Sequence, residues 1–187
     1  MTRILGISGS LRRDSHNTSL LRAAAEAAGS DVEFELYDRL KEIPPYDEDD
    51  DVHARPASVA RLMSAIADAD AVLFSTPEYN SSIPGQLKNA IDWISRPVAT
   101  NVLRNKPVAV VGASTGAFGA VWAQAELRKV LAALGARVLD VELSVPHAHT
   151  RFEEGGLTDD EIRGRLADAM EALVEEIRQR ERASAVA

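Results

Sequence analysis

Three polar segments hold most of the side chains that could do chemistry. The first is Ser8-Gly9-Ser10-Leu11-Arg12-Arg13-Asp14-Ser15-His16-Asn17-Thr18, where hydroxyls, an amide and two guanidiniums gather ahead of a run with helical spacing. Backbone N–H groups at a helix start attract an anion, and Ser and Asn side chains add donors. Arg12 or Arg13 would add charge-assisted bonds to phosphate oxygens. A plain helix start capped by Ser15 or Asn17 accounts for some of the same residues. Neither the P-loop spacing with its lysine nor the dinucleotide glycine fingerprint is present. The loop therefore points to phosphate without naming the ligand.

The second segment runs from Thr76 through Pro77-Glu78-Tyr79-Asn80-Ser81-Ser82-Ile83-Pro84 to Asn89. Its prolines restrict a stretch that carries amides, a carboxylate and an aromatic ring. A planar heterocycle needs that combination of edge hydrogen bonds and an apolar wall. A Tyr79 packed on the next helix and a solvated Glu78 explain it equally well. The third segment, Gly112-Ala113-Ser114-Thr115-Gly116-Ala117-Phe118-Gly119-Ala120, has three glycines in nine residues. It precedes a helix, so a helix C-cap does not explain it, and a simple turn needs fewer glycines. Close approach of backbone to a ligand does explain it.

Periodicity places these segments. Strand-like runs cover Arg3 to Ser8, Asp31 to Tyr37, Asp70 to Thr76, Lys106 to Gly112 and Arg137 to Leu143. The runs Ala71-Val72-Leu73-Phe74 and Val108-Ala109-Val110-Val111 are apolar throughout, as in central parallel strands covered on both faces. Helical spacing covers His16 to Gly29, Pro56 to Asp68, Pro84 to about Ser95, and Ala117 to Leu134, closed by Gly135. Thr158 and Glu161 suggest a capping box for a last helix reaching about Arg180. Pro44-Pro45-Tyr46 and Asp47 to Asp51 read as an exposed connection, and residues 181–187 as a frayed tail. Five βα units in this order predict one α/β domain over residues 1–187, with a doubly wound parallel sheet and helices on both faces. In such a sheet the loops after strands one, three and four lie at one edge, where ligands bind. One loop suits a phosphate and another a planar ring. FMN meets that description, and it carries the hydride chemistry itself, so no catalytic side chain is required.

At these loops the sequence resembles the NADPH-dependent FMN reductase family, the flavodoxin-like group that includes quinone, chromate and azo reductases. The resemblance rests on Gly9-Ser10-Leu11-Arg12-Arg13 with Ser15 and Asn17, and on Pro77-Glu78-Tyr79-Asn80 through Pro84-Gly85 and Leu87-Lys88-Asn89-Ala90-Ile91-Asp92-Trp93. It continues in Ala113-Ser114-Thr115-Gly116 with Gly119, Ala123-Gln124 and Leu127-Arg128, so that order and spacing agree from residue 3 to about 145. It implies a flavodoxin-like sheet of strand order 2-1-3-4-5. Ser10, Arg12, Ser15 and Asn17 would hold the FMN phosphate, with Leu11 and Thr18 beside them. Pro77, Glu78, Tyr79 and Asn80 would line the ribityl and ring region, and Ser114, Thr115 and Gly116 would complete the ring contact. NADPH or NADH would give hydride to flavin N5. A quinone, azo or nitro compound, metal oxyanion or free flavin would then take the electrons.

The resemblance also implies a homodimer or homotetramer with FMN near an interface, which the regions of Asp47 to Asp51 and Trp93 could reach. One departure stands out: Gly119-Ala120-Val121-Trp122-Ala123-Gln124 occupies the place of an expected Gly-Gly-x-Arg-Ala-Gln. That change bears on the oligomer contact or the acceptor pocket and leaves the FMN loops intact.

Composition narrows the classes further. The chain has 187 residues, of which 45% are apolar and 27% charged, with a net charge of -8. That charge argues against a general nucleic-acid or anionic-membrane surface. No apolar run approaches the roughly 18–20 residues of a membrane span. Met1-Thr2-Arg3 leads directly into a strand without a signal-peptide h-region, so a cytoplasmic location is expected. Cysteine is absent, which removes thiolate metal sites and phosphatases that use a cysteine in a similar loop. His147-Ala148-His149, His16, His53 and Asp47 to Asp51 are not read as metal sites, because no spacing completes a ligand set. Two rivals stand beside the reductase: a flavodoxin-type FMN electron carrier, and a non-redox domain that holds another phosphate ligand.

Overall fold

The computed structural model describes residues 1–53 and 55–186. A parallel sheet is built from β1 (Thr2–Ser8), β2 (Val32–Tyr37), β3 (Ala71–Thr76), β4 (Pro107–Ala113), β5 (Arg137–Val138) and β6 (Leu143–Val145). Its order is β2-β1-β3-β4-β5, with β6 also on β4. This is the flavodoxin-like winding that the family resemblance implies. Every residue of β3 and β4 is buried, as their continuous apolar runs predict. The edge strand β2 alternates: Val32, Phe34 and Leu36 pack inward while Glu33 and Glu35 face water.

Successive side chains on each strand point to opposite faces, so the sheet separates two cores. On one face Leu5, Ile7, Val72, Phe74 and Val110 meet α3 (Ala57–Asp68), α4 (Gly85–Ile94) and α5 (Val121–Ala133). On the other, Ile4, Leu73, Ala109 and Val111 meet α1 (His16–Ala27) and α6 (Asp160–Val186). Burial on both faces fixes the strand register, because a slip of one residue would exchange the two cores.

Several sequence expectations change. The fifth strand, expected over Arg137 to Leu143, is two short strands on the same edge of β4. Val138 pairs with Val108 and Leu143 with Val111, so four residues on one strand lie opposite two on the other. The carbonyls released by this bulge are met by Arg128 of α5, whose Nη2 donates to Val110 O at 3.3 Å and also to Val141 O. Arg128→Met keeps the stem and removes the donors. It should lower stability by about 2 kcal/mol, read as a lower urea midpoint at unchanged slope.

α5 starts at Val121 rather than Ala117, because Gly119 and Ala120 both have positive φ, 60° and 65°. The acidic stretch expected as a loop contains α2 (Glu48–His53). Asp47 caps it by accepting from Asp49 N at 2.9 Å, and the acidic first turn suits the positive helix end. Trp93, expected near an interface, is fully buried, and its Nε1 donates to Pro44 O at 2.8 Å.

The cap of α6 is Asp159 rather than Thr158: Asp159 Oδ1 accepts from Ile162 N at 3.0 Å, while Thr158 Oγ1 donates to Arg151 O. α6 continues beyond Arg180 to Val186 along a run of good helix formers, with Arg182 paired to Glu175; Ala187 lies outside the described residues. The Ile162 N–H, and then Arg151, hold the Asp159 carboxyl below the ordinary carboxylate range. A depressed carboxylate stabilises above its unfolded pKa of about 3.9 and loses that contribution as pH falls through its folded value. Asp159→Asn should therefore flatten the fall in Tm between pH 5 and the acid limit, as thermal scans along a pH series would show.

Candidate functional site

The loops after β1, β3 and β4 converge at one end of the sheet. Gly9 N donates to Ser75 O at 2.8 Å and seats the first loop on β3. Ser8 Oγ accepts from Ser10 N and from Thr18 Oγ1. Ser15 is the N-cap of α1, its Oγ accepting from Thr18 N at 3.3 Å. Both the hydroxyl and the N–H of Thr18 are thus engaged within the protein. The N–H groups of His16 and Asn17, in the first turn, have no acceptor among the described residues. Arg12 lies over this turn, its Nη2 donating to Asp14 O at 2.8 Å.

Asn17 lines the hollow where the loops meet and also has a structural part. It is buried, and its Nδ2 donates to Ala113 O at 2.9 Å. Its Oδ1 accepts from Ser75 Oγ at 2.9 Å and from Ala113 N at 3.0 Å. An amide offers two donors and two acceptor sites, so one side-chain N–H remains for a ligand. The residue chiefly ties α1 to the ends of β3 and β4, holding the first and third loops at a fixed spacing.

In the second loop Tyr79 and Ser82 exchange backbone bonds of 3.1 Å around Asn80 and Ser81, whose φ values are 53° and 60°. Two positive φ angles in a two-residue turn make a type I′ hairpin, a conformation that asparagine tolerates. Tyr79 is left 48% exposed. Glu78 reaches away from the turn: its Oε2 accepts from Trp122 N at 3.0 Å and Ala123 N at 3.1 Å. Ala120, at the start of α5, has no side-chain cap of its own, and the Glu78 carboxylate supplies one from the neighbouring loop. Ser82 Oγ adds a bond to Glu126 Oε2 at 2.5 Å.

The third loop is held from behind. Ser114 N donates to Val145 O, Ala148 N to Ser114 O, and His147 N to Gly116 O, all at 3.0–3.1 Å. Gln124, buried under the loop, donates to Gly119 O at 3.1 Å and Ser144 Oγ at 2.9 Å. Gly119 passes so close to the next segment that an added Cβ would lie 2.7 Å from Val145 N and 2.8 Å from Pro146 N.

A hollow of about 120 Å³ lies where the loops meet. It is lined by Ser10, Arg12 and Ser15 from the first loop, Pro77, Glu78 and Tyr79 from the second, and Ser114 and Thr115 from the third. His16 and Asn17 complete its floor. His16 was not among the expected residues, although its place between Ser15 and Asn17 at a helix start pointed to it. Its ring stacks on Phe152 at 5.4 Å. Burial first, and then Arg12 and His149, push its pKa below the usual histidine value, leaving a neutral ring at neutral pH.

A second, more apolar hollow of about 260 Å³ adjoins through Arg12 and Tyr79 and includes Leu11 and Pro84. Leu11 and Thr18 lie outside the first hollow, Asn80 is at the exposed turn, and Gly116 lines neither. The donor set fits FMN: helix-start N–H groups, a hydroxyl and a guanidinium stand at one end, and an exposed tyrosine beside an apolar recess at the other. Among the described residues no three His, Asp or Glu side chains gather as a metal site, and no helix is long and apolar enough to cross a membrane. The side chain of His53 lies outside the described residues.

Residues 2–150 match the family model described as NADPH-dependent FMN reductase. The chain is 42% identical over 173 residues to an NAD(P)H-dependent FMN reductase of Pseudomonas aeruginosa, covering 91% of this chain and 92% of that one. It is 39% identical over 180 residues to a 2-hydroxy-1,4-benzoquinone reductase of a Burkholderia species, covering 95% and 97%. Among solved structures, the flavoenzyme NAD(P)H:(acceptor) oxidoreductase FerB of Paracoccus denitrificans superposes with a TM-score of 0.86 at 38% identity, over 96% of this chain and 98% of that one. On the match over residues 2–150 and these near-full-length similarities, the chain belongs to the NADPH-dependent FMN reductase family and is an NAD(P)H-dependent oxidoreductase that works through FMN.

Proposed function

We propose that this protein passes electrons from NAD(P)H to quinones through FMN held on the three loops. The observation that carries this reading is a single hollow with a cationic, donor-rich end at Ser10, Arg12 and Ser15 and an exposed aromatic rim at Tyr79. Two of the similar proteins are named for reducing FMN and 2-hydroxy-1,4-benzoquinone, which supports a small planar acceptor.

The N–H groups of His16 and Asn17, with Arg12 and Ser10, receive the phosphate. Leu11 and Tyr79 keep water from one side of the ring region, and Ser114, Thr115 and Gly116 present backbone to the other. Glu78 holds the second loop against α5, so the two walls keep one spacing. Bound FMN supplies the hydride acceptance and electron release, and the chain itself needs no acid or base for that chemistry.

The assembly belonging to this reading is a homodimer or homotetramer in the cytoplasm, with the whole chain acting as one domain. Exposed Phe118, Val121 and Trp122, beside the site, support self-association. Arg12→Ala should weaken FMN affinity about tenfold, the loss expected for one charge-assisted phosphate contact. A fluorescence titration would read this, and an unchanged affinity would remove Arg12 from the phosphate site. The functional test is steady-state NADPH oxidation with 1,4-benzoquinone. Turnover of about 1–10³ per second is expected, whereas absence of turnover by FMN-loaded protein would favour an electron carrier.

A further inference from the structure

A separate hollow of about 300 Å³ lies on the far side of the first loop, between α1 and the end of β2. Its floor includes Leu21, Leu36 and Leu40, and its rim carries Arg12, Arg13, Arg22 and Lys41. Four cations around one hollow are unexpected in a chain of net charge -8. The single carboxylate on the rim, Asp38, already faces Arg39 at 3.8 Å. Arg13, Arg22 and Lys41 make no ion pair and donate no side-chain hydrogen bond among the described residues. Their charge is therefore not used to hold the fold together.

An apolar floor under a cationic rim suits a planar base that carries a phosphate. Leucine side chains cover the base, and guanidiniums pair with phosphate oxygens in a geometry that a lone ammonium does not offer. The hollow shares Ser10, Leu11 and Arg12 with the two hollows of the FMN site. A ligand seated here thus approaches the flavin region across the crest of the first loop. We propose that this hollow takes the phosphorylated adenosine end of NADPH, with Arg13, Arg22 and Lys41 around the 2′-phosphate, and that it makes the protein prefer NADPH to NADH. The proposal rests on the reading of the protein as an NAD(P)H-dependent flavoenzyme. It adds a nucleotide-selecting subsite to it.

The test compares the FMN-loaded protein with the double variant Arg22→Ala/Lys41→Ala, which leaves the phosphate loop of the FMN site untouched. The KM for NADPH should rise about tenfold, as for the loss of charge-assisted contacts at a solvent-facing rim. The KM for NADH, kcat and flavin content should all change less than twofold. Calorimetric titration with 2′,5′-ADP should show binding to the starting protein and about tenfold weaker binding to the variant.

5′-AMP carries the phosphate that an adenine dinucleotide flavin would present, and it should bind at least tenfold more weakly than 2′,5′-ADP. An unchanged KM for NADPH, an equal rise for both nucleotides, or equal binding of 5′-AMP and 2′,5′-ADP would each overturn the assignment. Because the titration does not depend on turnover, it separates failure of this subsite from failure of the flavoenzyme reading.

Discussion

Replacing Gly119 by alanine is expected to lower stability by about 2–5 kcal/mol and to deprive the protein of its third loop. Two costs combine. The φ of 60° places an L side chain in the left-handed region, at about 1–2 kcal/mol. The new Cβ would also stand 2.7 Å from Val145 N and 2.9 Å from Ser144 C. Those are backbone atoms of β6, itself tied to β4, so relief requires moving a strand rather than turning a side chain. Overpacking of that kind costs about 1–3 kcal/mol. At roughly 2–4 °C per kcal/mol for a chain of this size, the Tm should fall by about 4–20 °C. FMN affinity should fall with it, because Ser114 and Thr115 are positioned by the same segment. Differential scanning calorimetry with and without FMN measures both. A variant within 2 °C of the starting protein would mean that the close approach is not real.

The second large effect belongs to Asn17. Asn17→Ala removes the partners of Ser75 Oγ, Ala113 N and Ala113 O together. Ser75 is fully buried and Ala113 nearly so, and each unsatisfied polar group left in such surroundings costs about 1–3 kcal/mol. A loss of about 3–4 kcal/mol is expected, allowing for some relaxation, and would be seen as a shift of the urea midpoint in the FMN-free protein. The FMN-free state is the informative one. A residue that served only the phosphate would leave it unchanged, whereas a clip between α1, β3 and β4 weakens it. Arg12→Ala should show the opposite pattern, with weaker FMN binding and little change in the stability of the FMN-free protein.

These two residues mark how far the sequence could be read. The three polar loops, their common sheet edge and the two central strands were legible because continuous apolar runs and Gly/Ser-rich turns are local signals. The flavodoxin-like strand order came with the resemblance. Asn17 was legible as a polar residue in an anion loop. Its actual partners, however, are 58 and 96 positions away, and no local pattern encodes them. Glu78 is similar: it lines the hollow beside Tyr79, and it also caps α5 through bonds 44 and 45 positions away that no local pattern encodes.

Arg128 accounts for the break in the fifth strand, expected over Arg137 to Leu143. Leu139, Val141 and Leu143 alternate with Asp140 and Glu142 as in an edge strand, and the bulge that forms instead is filled by a guanidinium from α5. The late start of α5 depends on Ala120 adopting a φ of 65°, where helical propensity alone would continue the helix back to Ala117. Trp93 follows the same rule. Its burial under the Pro44 carbonyl depends on how residues 40–46 fold over α4, through bonds from Gln86 and Asn89 as well as its own indole.

The three loops are expected to hold FMN where NAD(P)H can reduce it. The absorbance spectrum of the purified protein tests this most directly, followed through addition of FMN, gel filtration and anaerobic NADPH. Flavin bands that remain with the protein after filtration, bleach on NADPH and return when a quinone is added are the expected result. A protein that emerges colourless after incubation with FMN would contradict the three-loop site, and one that keeps flavin bands unchanged under both NADPH and NADH would contradict the reductase.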